Sequence, residues 1–272
     1  MERTINIFYV IVVFELLLAA VLIALFTFLS SLIGEGLSRK AFPKHLKFWD
    51  MFTIKNMGSR QFLNRVIIAY VFVVLMMMYE TIFYGTVGHL PGWWNPASMV
   101  TDPNIQTNWF AWLQHFGNAL NAGFFEEFEF RAIPISLGVL IGSRFNKRKL
   151  GITIAFIFKV LMFSAAHANY RGFPAYARLL ELLVVAFSFG VVFYYFGIIP
   201  GIITHFIYDL LNMATPIMTT PGNILAYQKV LVVIILLSPL ILALYGRTRN
   251  KAWLDVTQST YNEADQGINL IF

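Results

Sequence analysis

The sequence predicts an all-α, polytopic membrane bundle of about seven to eight transmembrane helices. Three observations carry that reading: an apolar bulk, uncharged runs of spanning length, and basic residues gathered between the runs. Hydrophobic residues make up 58% of the chain and charged residues only 12%, with a mean hydropathy of +0.67. Soluble domains carry roughly 45–50% apolar and about 25% charged residues. The 27 phenylalanines, 12 tyrosines and 6 tryptophans suit lipid-facing and interfacial positions. With no cysteine, disulfides, thiolate metal sites and cysteine nucleophiles are excluded. The net charge of +6 is loop charge that sets topology. No soluble domain remains to form a nucleic-acid-binding face.

A spanning helix needs about 20 mostly apolar residues. Residues 5–33 form the first run, too long for a signal h-region and followed by no small-residue cleavage site, so it is expected as a retained helix. Residues 66–86, 150–168, 176–197 and 229–245 are further spans. Two segments are irregular. Residues 109–141 exceed one untilted helix and are interrupted by Gly117, Gly123 and carboxylates, while 202–215, between Pro200 and Pro216, falls short of a span. Broken or short helices are tolerated at membrane depth where they line an enclosed or wet cavity. Trp93 and Trp94, near Pro91 and Pro96, suit an interfacial belt. The whole chain reads as one integral membrane domain, with N-terminal helices and a basic loop in 1–105, a core in 106–245 and a polar tail in 246–272 that is expected at the surface.

Basic residues fall in three clusters: Arg39, Lys40, Lys44, Lys47, Lys55, Arg60 and Arg65; then Arg144, Lys147, Arg148 and Lys149; then Arg247, Arg249 and Lys251. The stretches 88–108 and 219–226 carry no Lys or Arg. If 109–141 crosses once, all three clusters share one face, the cytoplasmic one; if it crosses twice, the first faces away from the others.

The irregular segments hold the polar residues. Glu126 and Glu127 are adjacent, Arg131 follows, and His167, His205 and Asp209 interrupt later apolar runs. A charged residue at the centre of a spanning helix costs about 2.5–3.5 kcal/mol on insertion scales, so such residues mark functional sites by default. Glu127 and Arg131 share a helix face, and Glu126 lies about 100° away. A carboxylate that deprotonates water beside a second, cation-held carboxylate is one use; an ion pair fastening two helices is the other. Phe163 and His167 are one turn apart, as are His205 and Asp209, with Asn212 near the same face. Imidazole can orient water, donate to an oxyanion or bind metal. Equally, each histidine can be a packed polar core residue. Glu15, Glu80, Lys159 and Glu181 read as helix-packing groups, with Lys159 and Glu181 a possible pair, and Glu129 points away from the Glu126 face. His45, His89 and His115 read as loop or interfacial histidines.

The ordered motifs E-E-F-E-F-R at 126–131, F-S-A-A-H at 163–167 and H-F-I-Y-D at 205–209 resemble EExxxR, FxxxH and HxxxN/D of the CAAX protease and bacteriocin-processing family, relatives of the Ras-converting CAAX endopeptidase. The resemblance covers roughly residues 106–245. It implies an intramembrane glutamate endopeptidase with a conical or enclosed polar cavity, acting on a peptide or lipidated protein substrate among membrane lipids. It implies Glu126 as the base that activates water, Glu127 and His167 as its assistants, and His205 and Asp209 at the oxyanion. Arg131, Phe163 and Asn212 would be supporting residues. CAAX endopeptidases commonly carry Asn where Asp209 stands; either Asp209 orients His205, or Asn212 supplies the donor. The expected cofactor is none. The alternative is zinc held by Glu126, His167 and His205. A different class is a non-enzymatic membrane protein: a proton-coupled transporter, or an immunity or scaffold protein on the same fold. The membrane would be the plasma membrane in a prokaryote and the endoplasmic reticulum in a eukaryote.

Overall fold

The computed structural model describes residues 2–93, 108–168, 173–174, 176–222 and 225–262. Trp94 and Pro96, read above as part of an interfacial belt, lie outside these. The described residues are helical, with no strand beyond two isolated bridges, Leu46 to Tyr261 and Ser59 to Leu254. In chain order the helices are α1 (Glu2–Ala41), α2 (Ile54–Met57), α3 (Arg60–Val87), α4 (Ala111–Glu127), a π-helical turn (Phe128–Ala132), α5 (Ile133–Arg144), α6 (Arg148–Ala166), α7 (Ala177–Phe196), α8 (Ile198–Met213), α9 (Thr215–Thr219), α10 (Ala226–Leu236) and α11 (Ser238–Asn250).

The chain is an integral membrane protein. Among the described residues, four helices are long and apolar enough to cross a bilayer: Ile7–Ala41, Arg60–Val87, Arg148–Ala166 and Ala177–Phe196. The pair α10–α11, bent by 59°, passes the same test if the two count as one broken span. The difference from the expected seven to eight lies in the segments that carry the polar motifs. The path through α4, the π-turn and α5 is interrupted by carboxylates, and Ile198–Met213 is short. The first half of α1 is largely exposed, with Phe8, Phe14 and Leu17 open. In water that surface would drive aggregation; in lipid it is the ordinary state of a spanning helix.

From Ala111 to Arg144 the helical path continues without a break through the π-turn. α6 then leaves the Arg144–Arg148 turn, and α7 returns to the same end at Phe196. There the His45 ring donates from Nε2 to the Tyr194 carbonyl at 3.2 Å. The Arg60 amide donates to the Leu254 carbonyl at 2.9 Å, and the Asn250 amide donates to the Lys55 carbonyl at 3.0 Å. All three basic clusters therefore sit at one end of the bundle.

Residues 42–59 and 251–262 form a cap over that end. Residues 251–259 lie largely at the surface, as expected, and the segment turns inward only at its described end. Thr260 and Asn262 are buried, and Asn262 donates to the Ser38 and Phe42 carbonyls at 3.2 and 2.9 Å. Those carbonyls, which already accept from the Phe42 and His45 amides, thereby gain a second donor each, and the asparagine pins the tail to the end of α1. The α7–α8 corner is set by Gly197, whose φ of +93° favours glycine.

Candidate active site

Pro134 has no amide to offer the carbonyl four residues before it, and the helix widens there into the π-turn Phe128–Ala132. That turn follows the glutamate pair directly. Arg131, on the turn, is completely buried. Its Nε lies 3.3 Å from Glu127 Oε1, and its Nη1 donates to the Glu126 carbonyl at 3.3 Å. The guanidinium lies between two rings, its Cζ 4.1 Å from the Phe163 centroid and 4.6 Å from that of Phe189. Cation–π contacts are worth roughly 0.5–1 kcal/mol exposed and about 2 or more when desolvated. Phe163, legible only as a motif position, is thus the lid on the arginine.

α8 brings His205 against the glutamates. Its ring stacks on Phe189 at 4.3 Å between centroids. Nδ1 donates to Glu127 Oε1 at 2.9 Å. Nε2 faces Asp209 Oδ2 at 3.6 Å and Glu126 Oε2 at 3.7 Å. Asp209 was expected to orient this ring. Glu127 makes the direct contact instead, because the α4–α8 crossing is close enough for a straight hydrogen bond that Asp209 does not make.

That closeness depends on glycine. A Cβ at Gly201 would stand 2.7 Å from Glu127 Oε2, and one at Gly123 would stand 3.1 Å from the Ile202 carbonyl oxygen. Phe189 and Gly201 are site-shaping residues that sequence reasoning missed. No motif marks Phe189. Gly201 carried a signal only in hindsight, as a glycine one turn before a membrane histidine.

His167 caps the C-terminus of α6. Its Nδ1 donates to the Phe163 carbonyl at 2.8 Å, and its Nε2 lies 3.7 Å from Glu126 Oε2. Glu126, Glu127, Arg131, His167, His205 and Asp209 therefore meet in one cluster. Asn212 does not join it. It is exposed, and its amide donates to the Tyr208 carbonyl at 3.2 Å, along its own helix. His167, just past the end of α6, meets His205, at the middle of α8. That helix begins buried, with Ile198–Ile202 inside the bundle.

The other polar residues stand apart. Lys159 is fully buried, but it donates to the Ala186 carbonyl and does not pair with Glu181. The two helices run antiparallel, so Lys159 meets Gly190 and Ala186, a turn or more from Glu181. Glu181 instead takes Tyr84 and Arg178, and Glu80 takes Tyr208. Glu129 accepts from Ser30 of α1, off the Glu126 face. His45 lies in the loop after α1, as expected, and His115 on α4, and both side chains are buried. Among the described residues, no three His, Cys, Asp or Glu side chains form a set that could hold a metal ion.

The family model described as Type II CAAX prenyl endopeptidase Rce1-like matches residues 108–211. Over that segment the chain is similar to the CAAX-protease family. The matched stretch spans α4 to α8 and contains all three motifs. The clustered glutamates, histidines and arginine come from four separate helical segments of the matched stretch, which ends just beyond Asp209, where Asp stands in place of Asn. No match was found among curated proteins or solved structures.

Proposed function

We propose that the protein is a membrane-embedded endopeptidase that hydrolyses a peptide bond with water activated by Glu126. One observation carries the reading: Glu126 Oε2 lies 3.7 Å from Nε2 of both His167 and His205. Because Nδ1 of His167 is a donor to a carbonyl, its Nε2 in the neutral ring is an acceptor. Two acceptors held 3.7 Å apart suit a water molecule that donates to both. Glu126 takes the proton as that water attacks the substrate carbonyl, and His167 steers it. Protonated Glu126 then returns the proton to the leaving amine.

His205 acts in its doubly protonated form. Glu127 fixes Nδ1–H, and Nε2–H serves the developing oxyanion. Arg131 holds Glu127 ionised, so that Glu127 remains an acceptor. Asp209, 3.6 Å from the same Nε2, balances the charge of the ring rather than donating. The expected substrate is a peptide presented at the membrane, carried on a lipidated protein or a leader sequence.

The test is turnover of a quenched fluorogenic peptide by purified wild type and Glu126→Gln. The amide keeps shape and burial but cannot accept a proton. A loss of at least about a hundredfold is expected, with unchanged thermal unfolding. Near-normal turnover removes Glu126 from the mechanism. Activity abolished by a strong chelator and restored by zinc transfers the chemistry to the metal variant. A wild-type protein that cleaves no peptide points to an immunity, scaffold or transport role.

A further inference from the structure

The cap over the basic end encloses an apolar space. A cavity of about 160 Å³ lies beneath it, and every residue that lines it is apolar. Phe48 and Met51 of the cap, Phe62 of α3, and Ile202 and Phe206 of α8 form a buried floor. Phe52 of the cap, Leu120 of α4 and Leu242 of α11 also line it but are exposed, so they mark its mouth. None of the clustered glutamates, histidines and arginine lines it. Ile202 and Phe206 of the floor are also the residues that Gly123 meets where α4 crosses α8.

Water is a poor occupant of such a space. A buried water needs roughly two to four polar partners, and no polar side chain lines this cavity. An apolar cavity of about 150 Å³ in a soluble protein stays dry and binds benzene. A helix, about 10–12 Å across with its side chains, is too wide to enter. A single hydrocarbon chain fits.

The mouth lies at hydrocarbon depth. The Trp49 ring meets the Phe28 ring edge-on, 6.5 Å between centroids, and Phe28 belongs to the apolar run of α1. Phe52 lies 6.1 Å from Trp49, ring to ring. Trp49, Phe52 and Ile54 are all exposed, a contiguous apolar edge suited to lipid and not to water. Charge selects the kind of lipid. Residues 42–62 carry Lys44, Lys47, Lys55 and Arg60 against Asp50 alone, and Lys55 and Arg60 are exposed. Basic segments at a membrane surface attract anionic headgroups.

We infer that this cavity is a lipid site, taking one acyl chain of an anionic phospholipid from the surrounding bilayer with the headgroup at the basic cap. The chain packs on Ile202 and Phe206 and braces the α4–α8 crossing from the cap side. The site does not depend on the protease reading above.

The probe is phosphatidylglycerol with a diazirine at the end of one acyl chain, reconstituted with the full chain in phosphatidylcholine vesicles. After irradiation, label should concentrate on peptides holding Phe206 or Leu242, at least about fivefold above Ile154 and Leu161, which are exposed on α6. Leu120→Trp narrows the mouth from an exposed position and should cut the cavity label by a similar factor while leaving the α6 label unchanged. Leu242→Trp repeats the test from α11. Even labelling of all exposed helices, the mark of ordinary boundary lipid, overturns the inference. So does undiminished cavity label in both folded variants.

Two further arms fix the occupant. The same diazirine chain on a phosphatidylcholine headgroup should label the cavity several-fold less, and Lys55→Glu combined with Arg60→Glu should abolish that difference. Equal labelling by both headgroups in the wild type overturns the anionic assignment. A farnesylated peptide should leave the lipid label in place; displacement of the label one for one assigns the cavity to a substrate's lipid and overturns the inference. In detergent, added phosphatidylglycerol should raise the melting temperature of the wild type more than that of Leu120→Trp, and equal shifts count against the site.

Discussion

Two acidic clusters lie buried in this membrane bundle, and they are finished differently. In the Glu80–Glu181 cluster each carboxylate has a strong partner. Tyr208 donates to Glu80, while Tyr84 and Arg178 donate to Glu181, and together they tie α3, α7 and α8. In the Glu126–Glu127 cluster, Oε2 of each glutamate is buried without a hydrogen bond, and the rim is open. A satisfied buried network rigidifies a fold, whereas a buried acceptor left over marks a place where chemistry or a ligand is expected. The same residue type, equally set among apolar helices, is a fastening in one cluster and, in the function proposed above, a reagent in the other. The acceptor oxygens left without a donor separate them where hydrophobic context does not.

The largest effect should come from exchanging the same substitution between the clusters. Glu126→Gln should cost at least about a hundredfold in turnover and leave unfolding unchanged. Glu181→Gln should do the reverse, lowering the melting temperature in detergent through a lost charged pair, with turnover of the folded fraction within a few-fold of wild type. Equal activity losses in both variants would erase the distinction.

His205→Ala comes next. Loss of one oxyanion donor is worth roughly 2.7–4 kcal/mol, so kcat should fall about a hundredfold to a thousandfold while KM changes little. Asp209→Asn should keep substantial activity, since CAAX endopeptidases commonly carry Asn at that position, and Asp209→Ala should be worse. If both prove equally inactive, Asp209 is needed as a charge, and its role moves from balancing His205 to carrying a proton.

Gly201→Ala probes how close the packing must be. The added methyl would meet Glu127 Oε2 at 2.7 Å and push that carboxylate off His205. A fall in kcat on the order of tenfold is expected, with the pH–rate profile altered because His205 loses its partner. A wild-type profile would show that Glu127 does not orient the ring.

The smallest effect concerns the cap, far from both clusters. Burial pushes the His45 imidazole down to about 4 from the usual 6.5. The folded state therefore holds it neutral while the unfolded chain protonates. Its contribution is complete above pH 6.5 and is lost as pH falls through 6.5 toward 4, by up to about 3 kcal/mol. Unfolding of wild type in detergent should weaken between pH 7 and 4.5 more than that of His45→Gln. Identical pH dependence would remove His45 as the cause.

The sequence by itself determined the membrane class, the helical architecture and the identity of the clustered residues. Each of these rests on a local energetic conflict: long apolar runs exclude water-soluble folding, and charged groups inside such runs are too costly to keep without use. Charge bias in the sequence already preferred the topology with all three basic loops on one face. The tertiary structure brings the three basic clusters to one end of the bundle, with an unbroken helical path through α4, the π-turn and α5. Tertiary packing likewise decided which carboxylate touches His205. Four-residue spacing allowed Asp209, but the glycines at 123 and 201 let α4 and α8 approach until Glu127 won the contact. The pairing of Lys159 and Glu181 failed for the same kind of reason, because helix offset cannot be read from helix composition. Asn212 lay on a plausible face yet turned to its own backbone, and Asn262, in a segment otherwise largely at the surface, turned inward against the end of α1. Helix content follows from interactions within one segment, whereas partner choice depends on distances between segments, which no single segment encodes.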